Sequence, residues 1–282
     1  MTRRDFISTA AMATAGTVLA SPTRSNVGGS MTSLIVKSAA PIDLPYVTDG
    51  LEAFWDGEWN AGYGEHRYDV TDWVDLSGKR RRFHADSPSW FDNYCEMNGT
   101  VADCFRCPSL ADGQWLIDLL ATGFYTIEFV CRRPNNYNPA FFTCGNNGGY
   151  APGLYTRSSS VNLTTSGFHI WNKNGVQQDF NRSGIGAFDD KLCQICANGT
   201  SCVLGVHGTG NSVYGSLEGD MCVEIAVGGK PHYRFAFACD GSGAYVSTNH
   251  GTRLYRLAIY SRTLTQMELE FNASIDVERF GL

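Results

Sequence analysis

The alternation of apolar and polar residues predicts a chain built from short β-strands. Residues 124–132 (FYTIEFVCR) carry the clearest pattern, which should place four side chains on one face: Tyr125, Ile127, Phe129 and Cys131. Further strands are predicted at 51–56, 140–144, 167–171, 201–207, 221–227 and 232–238, with a tight Gly228-Gly229 turn between the last two. Helical periodicity is confined to the C-terminus. The pattern indicates an all-β protein, an antiparallel jelly-roll β-sandwich with a short C-terminal helix.

The last strand of this pattern begins near Arg253. Period-2 alternation predicts that Tyr255, Leu257 and Ile259 point one way and that Arg256 and Ala258 point the other. This arrangement is typical of a sheet with one buried face. The strand should therefore close the sheet at the end of the chain.

A complete helix-start signal follows this strand. Thr265 is predicted to cap the helix, and Glu268, three residues later, is placed to reach back to the cap as in a capping box. Leu264 and Leu269 have the spacing of a hydrophobic staple around that box. The signal predicts a helix fixed at its first turn to the strand before it.

Two segments carry a resemblance to a known family. Residues 50–83 contain a first strand and a Trp-x-Asp-Leu-Ser-Gly turn, and the C-terminal segment has the matching residues Tyr260, Arg262, Leu264, Thr265, Glu268 and Asn272. Together they resemble the laminin-G-like, concanavalin A-like lectin-glucanase domains of secreted bacterial and phage-associated proteins. The resemblance runs from about Leu44 to Leu282 and implies a jelly-roll sandwich. It does not select a function, because this sandwich hosts lectins, hydrolases and adhesive modules.

Composition and charge narrow the possible partners. A chain of 282 residues with 43% hydrophobic residues is long enough for one sandwich domain. The net charge of −6 argues against nucleic acid or acidic membranes as partners. The basic run 79–82 follows a Ser-Gly turn, which favours a solvated turn; contact with a polyanionic glycan is the alternative.

The N-terminus is predicted to be an export signal. Residues 1–30 combine a twin-arginine motif at Arg3-Arg4 with a short apolar stretch, and residues 31–43 read as a linker to the domain at 44–282. An ordinary secretory signal, or a start at Met31, is the alternative. The expected location is the periplasm, the cell surface or the extracellular medium. No segment is predicted to span a bilayer.

Ten cysteines leave three alternatives open. Two CxxC pairs would supply a four-thiolate zinc site, Cys104/Cys107 with Cys193/Cys196. Disulfides are expected in an exported protein. Free buried thiols are the third alternative, and they would occupy inward strand positions at Cys131, Cys202 and Cys222.

No cofactor is required by the sequence, although calcium is possible. Calcium needs six to eight oxygen ligands, usually from loops. Four side chains lie at predicted strand ends: Asp56, Asp220, Asp240 and Asn249. They form no ordered Asp-x-Asp-x-Asp loop, so surface turns are the simpler interpretation.

The sequence predicts no catalytic residue. A retaining glycosidase needs two carboxylates about 5 Å apart, and the nearest acidic run has its members at Glu218, Asp220 and Glu224. A serine triad would recruit one of four histidines, His169, His207, His232 or His250, and no Gly-x-Ser-x-Gly motif is present. We therefore expect a protein that is not an enzyme, with a glycoside hydrolase as the alternative.

Carbohydrate binding is the favoured function, because aromatic rings and amides on loops are the groups that hold sugars. The candidate ligand-binding residues are Asn136, Tyr137, Asn146, Asn147, Tyr150 and Trp171. The expected partner is a glycan or cell-surface polysaccharide. A structural surface protein that binds another protein is the remaining alternative.

Overall fold

The computed structural model describes residues 43–97, 105–132, 143–145, 153–158, 165–171, 177–183, 190–208, 211–223 and 251–282. The strands are β1 Leu51–Asp56, β2 Asp72–Trp73, β3 Phe83–His84, β4 Ser89–Phe91, β5 Tyr94–Met97, β6 Phe124–Arg132, β7 Thr143–Gly145, β8 Gly153–Ser158, β9 Thr165–Trp171, β10 Gln177–Ser183, β11 Lys191–Asn198, β12 Ser201–Gly208, β13 Asn211–Glu218 and β14 Thr252–Tyr260. The helices are α1 Leu110–Ala121 and α2 Gln266–Phe280.

The strands form a large antiparallel sheet and two smaller ones. The main sheet runs β13-β12-β11-β6-β14-β5-β4, and β1 also pairs with β14. A second sheet has the order β10-β9-β8-β7, and β2 pairs with β3. The prediction of a mostly antiparallel β protein with a C-terminal helix is confirmed, and the architecture is consistent with a β-sandwich.

One face of the main sheet carries an aromatic core. From β6, Ile127 and Phe129 pack there with Trp73, Phe83 and Phe105, all at most 1% exposed. The rings of Phe83 and Phe105 stack with their centroids 5.5 Å apart. Burying a side chain of this size stabilises the fold by about 1.5–3 kcal/mol. The largest apolar cluster among the described residues lies on this face.

The opposite face of the main sheet, called here the helix face, is covered by α2. Leu269 and Ala273 of α2 are buried in this interface. The amide of Gln194 on β11 donates to the backbone oxygen of Leu269 at 2.9 Å. Both faces are therefore covered, and the expectation that the C-terminal strand has only one buried face is wrong: Arg256 and Ala258 are fully buried.

A β-bulge changes the orientation of one side chain in β14. The register with β6 shifts between Leu254 and Arg256, so that Tyr255 is the extra residue. Tyr255 packs with Val130 and Ala273 on the helix face, whereas Leu257 joins the aromatic core. The prediction that Tyr255 and Leu257 share a face is wrong, because period-2 reasoning assumes an unbroken ladder.

The first turn of α2 agrees with its prediction. The hydroxyl of Thr265 accepts a hydrogen bond from the Glu268 amide at 3.3 Å, and the Glu268 carboxylate accepts from the Thr265 amide at 2.8 Å. The staple residues Leu264 and Leu269 are both buried in one apolar cluster. The helix ends at Gly281, whose φ of 70° is left-handed.

The prediction that helical structure is confined to the C-terminus is wrong, because α1 is a second helix. Ser109 caps it and accepts from the Asp112 amide at 3.2 Å. Its buried stripe consists of Leu116, Leu119 and Leu120, which have helical spacing. Pro108 and Gly113 concealed this short pattern in the sequence.

The predicted turn at residues 73–78 is held by one carboxylate. Asp75 accepts from the backbone amides of Phe54 at 3.0 Å and of Ser77 and Arg81 at 2.9 Å. The basic run that follows is only partly solvated. Arg81 pairs with Glu52 at 2.8 Å, and its guanidinium lies 4.4 Å from the centre of the Trp115 ring.

Several predicted strands are only partly covered by the described residues. The prediction for 140–144 meets β7 at Thr143–Gly145, and β9 and β12 contain the predicted 167–171 and 201–207. Met221 and Cys222 lie outside strands. Val223 forms only a β-bridge. Residues 224–227, the Gly228-Gly229 turn and the strand 232–238 lie outside the described residues.

Candidate functional site

Exposed aromatic rings gather on the loop after β1 and on the β4–β5 hairpin. Tyr63, Tyr68 and Phe91 are 47%, 64% and 42% exposed. We call the aromatic surface the set that comprises these three residues and the rings packed against them: Trp59, Tyr63, His66, Tyr68, Phe91 and Tyr94. A group of exposed rings of this kind is a candidate interaction surface.

Each exposed ring rests on a second ring. Tyr63 lies 4.6 Å from Trp59, and Phe91 stacks on Tyr94 at 4.7 Å, with all distances between ring centroids. Tyr68 meets the His66 ring edge-on at 4.8 Å. These supports restrict the rotamers of the exposed rings.

A glycine allows the loop to approach the hairpin. A Cβ atom on Gly57 would lie 2.5 Å from the backbone oxygen of Asn93, which is closer than any real side chain comes. Across the same junction the Tyr68 hydroxyl donates to the Asp92 carboxylate at 2.7 Å. The loop and the hairpin therefore form one continuous surface.

A buried asparagine closes the loop that carries Tyr63. Asn60 is fully buried; its amide donates to the Arg67 backbone oxygen at 2.7 Å and its oxygen accepts from the Arg67 amide at 2.9 Å. Gly62 and Gly64 adopt positive φ angles between these anchor points. The loop is therefore a fixed shape with its rings outside.

Arg279 connects the loop to the end of α2. Its Nη1 lies 2.7 Å from an Asp56 carboxylate oxygen and its Nη2 2.6 Å from a Glu58 oxygen. Its guanidinium carbon lies 4.5 Å from the centre of the Trp59 ring. Asp56, a candidate calcium ligand, is fully buried, and its carboxylate pairs with Arg279 instead.

Polar groups continue the surface beyond Tyr68. The Val70 backbone oxygen accepts from the Trp90 indole at 2.8 Å, which keeps the chain after Tyr68 beside β4. There His84 lies between two carboxylates, with Nδ1 2.6 Å from Asp72 and Nε2 3.2 Å from Asp86.

Arg106 donates to Asp86 on its other side, so each charged group in this cluster has a partner. Across the described residues, no group of three or more histidine, cysteine and carboxylate side chains is arranged to hold a metal ion.

A buried polar network lies under α2. Glu128 accepts from Gln194 at 2.7 Å and from Asn272 at 2.9 Å, and Arg256 lies 3.5 Å from it. Arg256 also pairs with Asp276. Burial raises the pKa of Glu128 to about 7. Because Glu128, Arg256 and Asp276 are fully buried, this network anchors the helix and is closed to ligands.

One of the four candidate histidines has a serine partner. His207 Nδ1 lies 2.9 Å from the Ser212 hydroxyl, and its Nε2 lies 3.0 Å from the Gln194 amide oxygen. Burial lowers the pKa of His207. An amide occupies the place that a carboxylate has in a catalytic triad, so the hydrogen-bond partner of the imidazole on that side carries no charge.

Two of the three acids of the hydrolase alternative, Glu218 and Asp220, are described. Glu218 ends β13 as an exposed residue, and Asp220 accepts from the Cys222 amide at 3.0 Å. Glu224, His232, His250, Asp240 and Asn249 lie outside the described residues. Of His169 only the backbone position within β9 is described.

The alternative of one zinc site shared by the two CxxC pairs is wrong. Cys193 packs against the aromatic core, whereas Cys196 lies on the helix face beside Leu264. Residues three apart on a strand point to opposite faces, so this CxxC pair cannot converge on one metal. Five of the described cysteines are free thiols: Cys107, Cys131, Cys193, Cys196 and Cys202.

The predicted ligand-binding residues remain a prediction. Five of them lie outside the described residues: Asn136, Tyr137, Asn146, Asn147 and Tyr150. Trp171 ends β9, but its side chain is outside the description as well. The aromatic surface was missed, although the density of Trp, Tyr, His and Gly in residues 57–68 was the available signal.

Comparisons with known proteins find a shared fold and no family. No protein-family model and no curated protein matches the sequence. A Trypanosoma rangeli sialidase structure matches with a TM-score of 0.53 at 14% identity, over 81% of this chain and 33% of that chain. A leech intramolecular trans-sialidase gives 0.48 at 14% identity, over 63% and 26%. The Ruminococcus gnavus IT-sialidase CBM40 bound to sialyllactose gives 0.46 at 11% identity, over 63% and 94%.

The chain therefore spans about a third of the length of the trypanosomal enzyme and about a quarter of the leech enzyme. At such identities the likeness concerns the fold alone. Neither described helix is long and apolar enough to cross a membrane.

Proposed function

We propose that this protein is an exported, non-catalytic glycan-binding module and that the aromatic surface is its binding site. The observation that carries the proposal is the group of three exposed rings, Tyr63, Tyr68 and Phe91, each supported by another ring. We further propose that the fold is a jelly-roll sandwich of the laminin-G-like type and that the first thirty residues direct export.

The chemistry of the aromatic surface matches that of a sugar. A pyranose has one apolar face, which stacks on an aromatic ring, and hydroxyls at its edge, which need donors and acceptors. Tyr68 offers an exposed ring, and the exposed Arg67–Asp69 pair beside it supplies both kinds of hydrogen-bonding group. A protein partner would favour a broader apolar patch than this alternation of rings and charges.

Pre-organisation supports a binding role. The Tyr68 hydroxyl is held by Asp92, and Phe91 by the Tyr94 ring, so little side-chain entropy remains to be lost when a ligand stacks. Binding modules gain affinity in this way without any moving part.

The proposal that the module is non-catalytic rests on the described acids and bases. Glu128 is fully buried. His207, which contacts Ser212 on one side, contacts the side-chain amide of Gln194, not a carboxylate, on the other. Asp72 and Asp86 both bind the His84 ring, which holds them on either side of an imidazole and not across a sugar bond.

The proposal is tested by titrating the full chain with a panel of neutral, amino and acidic oligosaccharides in a calorimeter. With the best ligand, Tyr68→Ala and Phe91→Ala should each weaken binding about tenfold or more, since a stacked ring contributes about 1.5 kcal/mol. The control is Phe271→Ala, an equally exposed ring on the outer side of α2, which should leave affinity unchanged.

If the native protein binds none of the oligosaccharides in the panel, glycan binding is refuted. Equal losses in Tyr68→Ala and Phe271→Ala would move the site away from the aromatic surface. Release of reducing sugar from the panel would favour the hydrolase alternative.

A further inference from the structure

We propose that Arg279, at the end of the C-terminal helix, positions the aromatic surface for its ligand. The helix would then be part of the glycan site as well as a cover for the sheet. This inference rests on the proposed function. It assigns to Arg279 a role through Trp59 and the loop that follows, without contact between the arginine and the ligand.

Arg279 contacts three residues at the base of the loop. It pairs with the carboxylates of Asp56 and Glu58, and its guanidinium carbon lies over the Trp59 ring, 4.5 Å from the ring centre, within the range of a cation–π contact. Trp59 in turn supports the exposed Tyr63 ring at 4.6 Å. The chain of contacts from the helix to the exposed ring therefore has only one intermediate residue.

The helix end is itself fixed, so Arg279 is a rigid support. Its Nη1 donates to the Tyr46 hydroxyl at 2.7 Å, and that hydroxyl donates to Asp276, one helical turn earlier, at 2.8 Å. Asp276 is fully buried and paired with Arg256 of β14. These contacts fix the position of the Trp59 ring relative to β14 in the main sheet.

Only arginine fits this set of contacts. A planar guanidinium binds two carboxylates and stacks on a ring at the same time, whereas a lysine ammonium is a point charge that cannot do all three. Arg279→Lys therefore keeps the charge but releases Trp59. The expected consequence is a mobile loop that carries Tyr63 and Tyr68 out of register with the ligand.

The chain offers a matched control at the other end of the same helix. Arg262 pairs with both oxygens of Glu268, at 3.0 and 2.6 Å, and also lies 2.8 Å from Asp49. It is likewise a two-carboxylate arginine that fastens α2, but its contacts do not include the aromatic surface. Arg262→Lys should therefore cost comparable stability without affecting the ligand site.

Two measurements on full-length variants, made where all remain folded, test the inference. Arg279→Lys should weaken binding of the best oligosaccharide about tenfold, whereas Arg262→Lys should change it less than twofold. Trypsin should cleave after the exposed Arg67 several times faster in Arg279→Lys than in the native protein, and at the native rate in Arg262→Lys.

Native affinity in Arg279→Lys, or equal losses in both variants, would refute the positioning role. The proteolysis measurement also separates this inference from the proposed function. If the native protein binds no glycan but cleavage after Arg67 is accelerated only in Arg279→Lys, the loop support stands and the glycan function fails. An unchanged cleavage rate would overturn the support itself.

Discussion

Substitution of Glu128 by glutamine should remove a pH dependence of stability that the native protein possesses. Glu128 faces Arg256, Asp276, Gln194 and Asn272 under α2 and is fully buried. Burial raises its pKa from the ordinary 4.5 to about 7, and the neighbouring Arg256 only partly opposes this. The folded protein therefore keeps a proton on Glu128 that the unfolded chain releases.

The sign and size of the effect follow from that difference. Where the folded state binds more protons, stability falls as the pH rises, and here the range lies between 4.5 and about 7. At about 1.4 kcal/mol per pH unit, the native protein should lose about 3 kcal/mol across that range. The contribution is complete below pH 4.5 and absent above about pH 7. Glu128→Gln resembles the protonated acid and should lack this loss.

The assay is urea unfolding followed by tryptophan fluorescence at a series of pH values. The difference in unfolding free energy between the native protein and Glu128→Gln should grow steadily from pH 4.5 to 7. Glu268→Gln is the control of opposite sign, because the Arg262 hydrogen bond lowers the pKa of Glu268 to about 2. Its difference from the native protein should therefore stay constant between pH 4.5 and 7 and shrink only below pH 4.5. Parallel native and Glu128→Gln curves between pH 4.5 and 7 would refute the reasoning.

Three further outcomes are expected. Thr265→Ala removes the α2 cap and should cost about 1 kcal/mol of unfolding free energy, most of which Thr265→Ser should retain. Gly57→Ala places a Cβ against the Asn93 backbone oxygen and should cost about 3 kcal/mol, whereas Gly64→Ala, with open space but a φ of 76°, should cost about 1 kcal/mol; equal costs would contradict the close approach. Unfolding without reductant should expose at least five thiols per chain to a chromogenic thiol reagent, and a smaller count would contradict the free cysteines.

Local signals predicted the elements that depend on neighbours in sequence. The strand at 124–132 and the capped helix after Thr265 lie where the pattern placed them. Both depend on side-chain alternation or on hydrogen bonds within four residues, which the sequence states directly. The short helix α1 escaped because a proline and a glycine weakened its local signal.

The candidate site was much less predictable. The loop 57–70 and the β4–β5 hairpin are separated by some twenty residues, and a glycine contact and the Tyr68–Asp92 hydrogen bond join them. Arg279 reaches the same loop from more than two hundred positions away. Neither segment contains a sequence signal that points to the other. A search for aromatic residues in loops therefore could not choose between residues 57–68 and residues 135–150.

The sequence by itself determined an antiparallel β chain, its central strand and the capped C-terminal helix. The tertiary structure alone decided which faces are covered: it buried Arg256 and Glu128 under that helix, divided Cys193 from Cys196, and assembled the exposed rings of Tyr63, Tyr68 and Phe91. The physical reason is range. Alternation and capping act over a few residues, whereas burial and charge pairing depend on which distant segments the folded chain brings within a few ångströms.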